Sequence, residues 1–300
     1  ILLKRALRDQ KINKLGQSAV ILSLLSACGG SGGSGGNTSS GTVIDGYISA
    51  ARVFRDTNND FELSGSEVST LTNTLGVFSG LTGSSTDPII ADSNNGQATD
   101  SVTGLPFLAK LVAPGTYDVI TPVTTMVSAL TRSGIPIGEA EEIVLNTFDL
   151  DDNLELATFD PFQDSSNLAS NYKSVAVKIA NILMVSDGDI NVDSASGFGS
   201  SLTAFSNLLL EKHAQDQTID LSDTDVLTEL VPNASQNLIT KISTANSFSG
   251  YEDALDEQLL LLSDNSEGII STASSTGNQL IAIEIDGLFN SNDVFVARIY

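Results

Sequence analysis

The residues best placed to do chemistry run from Asp56 to Glu67, in the order Asp-Thr-Asn-Asn-Asp-Phe-Glu-Leu-Ser-Gly-Ser-Glu. A calcium loop of about twelve residues supplies ligands from positions 1, 3, 5, 7, 9 and 12. That frame puts Asp56, Asn58 and Asp60 at the first three places and the Glu62 carbonyl at the next. Ser64 follows, where a water often mediates, and Glu67 is the two-oxygen carboxylate that closes the set. Calcium gathers roughly six to eight hard oxygens around one point, and alternate residues of a tight loop can turn several inward together. The spacing therefore predicts a Ca2+ site. One position departs: Phe61 stands sixth, where a glycine usually takes the sharp turn and where a side chain disfavours positive φ. The competing reading is an Asx-rich solvated turn.

Two weaker echoes follow. Asp149, Asp151, Asn153 and Asp160 fall in the same frame, but Leu154 stands sixth and Ala157 brings no side-chain oxygen at the ninth place. This stretch is expected to be a loop linking helices. Asp187 to Asp193 alternates oxygen-bearing side chains without a carboxylate at the twelfth place. Catalysis finds less support. The single histidine, His213, sits in NLLLEKHAQ at an expected helix end, where the dipole favours an imidazolium. One histidine cannot make a two-histidine metal site, and no GxSxG, HExxH or P-loop string occurs. Glycoside hydrolysis needs only two carboxylates, but sugar clefts usually offer aromatic platforms, and aromatics are 6% of this chain. The expectation is a protein that is not an enzyme.

The only cysteine, Cys28, stands between an apolar run and a Gly/Ser-rich stretch. Lys4, Arg5, Arg8, Lys11 and Lys14 precede Leu15–Ala27, a mostly apolar run ending in small residues. A basic segment, a short apolar segment and a small-residue cleavage site describe a secretory signal, and the run is shorter than the ~20 residues that span a bilayer. Leu25-Ser26-Ala27-Cys28 resembles the lipobox of bacterial lipoproteins. The resemblance implies cleavage before Cys28, acylation of its sulfur and new amino group (palmitate among the acyl chains), and a membrane partner reached through that anchor. One acyl chain holds only marginally and several hold firmly. Gly29 follows the cysteine; an Asp there would favour the inner membrane, so the outer membrane is expected. Residue 1 is Ile, so further residues are expected ahead of it.

Charge agrees with an exported body. Five of the 14 basic residues lie ahead of Cys28, but only Asp9 of the 37 acidic ones. So acidic a surface repels nucleic-acid phosphates, which excludes DNA or RNA as a partner. No disulfide is available to the core, yet 41% hydrophobic residues can build one.

The elements that must position these residues read as follows. Residues 1–27 form the signal peptide and 28–41 a Gly/Ser tether with a span of about 20 Å. Residues 42–118 read as short β runs between Gly, Asn, Asp and Ser clusters. GYISAARVF and TNTLGVFSGL flank the Asp56–Glu67 loop as strands, so the sequence predicts strand–loop–strand. Residues 119–265 read as helices. Thr121-Pro122 offers an N-cap and a first-turn proline, and Gly134 a stop. Further helices are expected over 138–148, 168–185, 202–214, 223–230, 234–244 and 251–262. Strands return over 278–300, either closing a sheet or opening a further domain. The class is α+β.

The strings VIDGYISAARVFRDTNNDFELSGSE, TNTLGVF, ATDSVTGLPFLAKLVAP, VITPVTTMVSAL, AEEIVLNTFDL and FDPF resemble an envelope and secreted module of bacteria, marine ones especially. The likeness covers about residues 42–162. It implies a small transthyretin-like or carboxypeptidase-regulatory-like β-sandwich with a calcium loop, followed by a helical bundle. Ala51 matches the small residue of the second strand, and Phe61 breaks the module's glycine. Two readings of function follow. One is a non-catalytic, lipid-anchored cell-envelope protein that binds a surface, polymer or envelope partner, of unspecified oligomeric state. The other is the membrane-proximal stalk of a longer secreted enzyme or adhesin.

Overall fold

Among the described residues, nine short strands come first, then six helices, then a hairpin. The computed structural model describes residues 38–101, 107, 109–164, 166–187, 194–232, 234 and 236–247, and the strands 268–275 and 278–285. The expected signal peptide with Cys28, residues 28–37 of the tether, the helix at 251–262 and the terminal DVFVARIY lie outside the described residues, as does most of the Asp187–Asp193 stretch. The mixed α+β class holds.

The strands are β1 (Thr38–Val43), β2 (Ile48–Ser49), β3 (Arg52–Arg55), β4 (Ser69–Leu71), β5 (Val77–Thr82), β6 (Ile89–Asp92), β7 (Thr99–Asp100), β8 (Leu111–Ala113) and β9 (Val119–Ile120). One sheet has the order β5-β1-β9 and another the order β4-β3-β6-β8; β2 and β7 pair by themselves. In the first, β1 runs antiparallel to β5 and parallel to β9, with Thr42 opposite Val77 and Val119. Gly41 permits this squeeze, because a Cβ there would sit 2.4 Å from the Asp118 carbonyl and 2.9 Å from the Phe78 ring. The second sheet is antiparallel throughout. All four residues of β6 are buried, as expected of a continuous apolar run covered on both faces.

β1 begins at Thr38, inside the stretch expected to be tether. The reason is tertiary. The Arg55 guanidinium, only 2% exposed, donates to Ser39 Oγ, to the Asp87 carbonyl at 2.9 Å and to the Gly115 carbonyl at 3.3 Å. A buried guanidinium is costly unless its donors are met; Ser39 is one of the acceptors that Nη1 and Nη2 take, while Nε has none.

The helices are α1 (Pro122–Arg132), α2 (Ile137–Thr147), α3 (Asn167–Asp187), α4 (Ser194–Ala214), α5 (Thr224–Leu230) and α6 (Gln236–Asn246). The expected start of α1 holds: Thr121 Oγ1 accepts from Thr124 N, Thr124 Oγ1 accepts from Thr121 N, and Pro122 opens the helix. Pro122 to Leu130 are all buried, and α1 packs against β8, α2, α3 and α4. Its last residue, Arg132, is carried to the end of β3, where the acidic loop begins. α4 starts eight residues before the expected Leu202, because Gly197 and Gly199 hide a helical segment from propensity. A single apolar cluster runs from Val43 through the strands and helices to Ile242, unbroken across residues 118 and 119. The hairpin β10 (Gly268–Ser275) and β11 (Asn278–Ile285) pairs from Gly268–Ile285 to Ser275–Asn278; β11 falls in the expected C-terminal strand region, and β10 was not expected.

Candidate metal centre

β3 ends at Arg55 and β4 starts at Ser69, with Phe54 opposite Ser69. The loop from Asp56 to Glu67 is therefore an excursion between two paired strands and not a link between two helices, but the strand after it is β4, ahead of the expected TNTLGVFSGL, whose first five residues turn before β5. Asp56 leaves the sheet with its carboxylate almost wholly buried. Its Oδ1 accepts from Asp60 N and its Oδ2 from Phe61 N, both at 3.1 Å. Asn58 Oδ1 accepts from the same Asp60 amide at 3.3 Å, and Asp60 Oδ1 accepts from Glu62 N at 2.8 Å. The oxygens of positions one, three and five are thus each held by an amide farther along the bend, which curls the chain around them.

Glu67 closes the loop. Its Oε1 accepts from Thr57 N at 2.7 Å and Thr57 Oγ1 at 3.0 Å, and its Oε2 from Ser64 N at 2.8 Å. Burial opposes ionisation of Glu67 as the largest single influence, but the combined hydrogen bonds outweigh it and hold the carboxyl below its usual range. Asp56 goes the other way. Burial raises its carboxyl above the usual range, and the amides of Phe61, Asp60 and Asn59, with Arg132, offset only part of that.

Phe61 takes the turn that a glycine was expected to take. Its φ is +66° and that of Asn59 is +62°, a conformation costing about 1 kcal/mol or more for a residue with a side chain. The ring shows what offsets that cost. It is buried, meets Phe198 of α4 edge-on at 5.2 Å between centroids, and carries the Arg132 guanidinium 4.0 Å above its face. Such contacts contribute about 0.5–2 kcal/mol each beyond the area they bury.

Two cations meet the loop that its spacing did not disclose. Arg132 Nη1 donates to Asn59 Oδ1 at 2.9 Å and Nη2 to the Asn59 carbonyl at 3.0 Å, with Nη1 3.8 Å from Asp56 Oδ2. Lys110 Nζ donates to Glu62 Oε1 at 2.8 Å and lies 5.6 Å from the Phe198 ring centroid. No signal in the acidic frame could have found them, since they lie 73 and 48 residues away from their partners.

The structure brings Asp56, Asn58, Asp60 and Glu67 into one bend, while the Glu62 side chain turns to Lys110 and Ser64 Oγ lies 3.2 Å from Ser66 Oγ. Every donor is a hard oxygen, although Glu67 Oε1 already accepts twice from Thr57, so the Thr57 hydroxyl would have to yield to an ion there. The set suits calcium in kind. Among the described residues no three His, Cys, Asp or Glu side chains converge on one point, so ligation would require the acids to draw together.

The second acidic frame is not gathered. Asp151 Oδ1 accepts from Asn153 N and Nδ2, both at 2.9 Å, and Asp160 Oδ2 accepts from the Tyr47 hydroxyl at 2.9 Å. His213 lies in the last turn of α4, as its setting implied. Among the described residues no helix is long and apolar enough to cross a membrane. No family model, no curated protein and no solved structure matches the chain. The likeness to the bacterial envelope module rests on its quoted strings.

Proposed function

We propose that this chain is a non-catalytic cell-envelope protein, held to the membrane by acyl chains on Cys28, whose Asp56–Glu67 loop takes up calcium. The β sheets would form a small sandwich and the helices a bundle, together presented to a surface, polymer or envelope partner. The observation that carries the calcium reading is the left-handed turn at Phe61 in the sixth position. It keeps the bend that the spacing requires, with Asp56 accepting from the amides of Asp60 and Phe61 as the chain enters that turn. Asp56, Asn58, Asp60 and Glu67 would hold the ion with the Glu62 carbonyl, and Ser64 would act through water. Calcium would supply positive charge to a buried carboxylate and tie the two ends of the loop together.

Heating the purified protein with calcium and with a chelator tests this. A ligand bound by the native state alone at one hundred times its Kd adds about 2.7 kcal/mol, so the midpoint should rise at millimolar calcium. Glu67→Gln and Asp60→Asn should abolish the rise. An unchanged midpoint in the parent, or an undiminished rise in both variants, would remove calcium. For the anchor, Cys28→Ser should release the protein from the membrane fraction; continued association through the same leader would count against acylation.

A further inference from the structure

The Asp56 carboxylate is fully covered, and a buried carboxylate is costly unless a positive charge or a full set of donors accompanies it. Arg132 brings that charge from the far end of α1. It arrives on a rigid element, since Pro122 to Leu130 are buried in the core, and a cation in the last turn of a helix is favoured by the dipole. Its two-pronged grip on Asn59, at 2.9 and 3.0 Å, and its stack on Phe61, at 4.0 Å, fix it over the left-handed part of the bend. A guanidinium holds such a fork geometry where an ammonium would not.

We propose that Arg132 is the loop's built-in counter-cation, holding the bend in shape without metal and opposing the entry of calcium. The inference rests on the calcium reading above and adds its regulation. A calcium ion ligated by Asp56 would share that carboxylate with the guanidinium. Two cations within one bend repel, and at a partly screened separation of a few ångströms the penalty corresponds to about tenfold in affinity. Metal entry would therefore loosen Arg132 from Asn59 and Asp56. Because the same guanidinium sits on Phe61, and Phe61 on Phe198, occupancy of the loop would be felt where the loop meets α1 and α4. The substitution of Phe61 for glycine gains a role here: it gives Arg132 a face to stack on.

The test compares the intact protein with Arg132→Gln and Arg132→Lys, by calcium calorimetry and by thermal midpoint in chelator. Arg132→Gln removes the charge. It should lower the midpoint in chelator by about 3–6 °C, tighten calcium binding about tenfold, and enlarge the calcium-induced rise beyond that of the parent. Arg132→Lys keeps the charge without the fork, so its affinity should stay near the parent value while its midpoint in chelator falls. If Arg132→Gln does not fold, Arg132→Met, which keeps the stack on Phe61, carries the same comparison. A parent that binds calcium with a neutral variant that binds equally or more weakly would overturn the counter-cation role alone. No calcium heat and no shift in parent or variants would overturn the calcium reading and this inference together.

Discussion

In the loop from Asp56 to Glu67 the first-position carboxylate is buried under a bend, while in the stretch from Asp149 to Asp160 the acids of the same frame part company. Asp151 faces solvent at the mouth of a short Asx turn, and Asp160 divides between the Tyr47 hydroxyl and the Phe162 amide, at 2.9 Å each. Positive φ falls at Phe61, the sixth residue of the first frame, but at Asp149, the first residue of the second. The apolar residues differ too. Phe61 leaves the bend sideways to reach Phe198, so the oxygens can stay together. Leu150, Leu154 and Leu156 are all core residues, and seating the three of them spreads the chain along the apolar surface. The lesson is that acidic spacing offers a site and that the apolar residues between the acids decide whether it closes.

The largest test of that comparison is Phe61→Gly, which restores the expected glycine. Losing a buried phenylalanine ring costs about 3–5 kcal/mol, and relief of the left-handed φ returns about 1. The variant should be less stable by about 2–4 kcal/mol in urea unfolding. A neutral or stabilising change would mean that the ring does not hold the bend, and the contrast between the loops would fail.

A middle-sized effect is expected at Asp160. Burial, then the Asp160 charge and its hydrogen bond, push the Tyr47 hydroxyl up to about 12. A phenol raised in the folded state contributes stability that is whole below its ordinary value near 10 and is lost as pH rises through the folded value. The parent should therefore weaken between about pH 10 and 12. Tyr47→Phe should lack that share of the loss. Asp160→Asn should lower the Tyr47 value, make the decline shallower, and cost about 1 kcal/mol at neutral pH. Phenolate absorbance and thermal midpoints across this range would read both, and an identical alkaline decline in the parent and Tyr47→Phe would count against the pairing.

The smallest effect belongs to Asp151→Ala. Asp151 is partly exposed, and its carboxyl sits below its usual range through the Asn153 amide and side chain. Its removal should change stability by less than about 0.5 kcal/mol and leave any calcium-induced rise in midpoint intact. Loss of that rise would place the metal at the second loop instead of the first.

Much of the scaffold was legible from short-range chemistry. Thr121 and Pro122 announced the start of α1, and Asp223 does the same for α5 by accepting from Asp225 N and Val226 N. The strand before the loop, β3, was legible in GYISAARVF, but β4 after it was not, because Ser69–Leu71 is too short to show an alternating pattern. The early start of β1 was not, because Thr38–Gly41 has tether composition and is recruited by Arg55 from another sheet. The first turns of α4 were missed because its glycines carry no helical preference.

By itself, the sequence determined the oxygens of the Asp56–Glu67 bend and the turns that hold them, since an Asx side chain reaches an amide only a few residues along. It also determined the acidic balance of the body and the signal-like setting of Cys28. Only the tertiary structure decided that Phe61 could take the left-handed turn, that Arg132 and Lys110 would serve the loop, and that the second acidic frame would open. Those outcomes depend on packing α1 against β8 and seating Phe198 beside the loop, contacts between residues far apart in the chain whose energies no local spacing encodes.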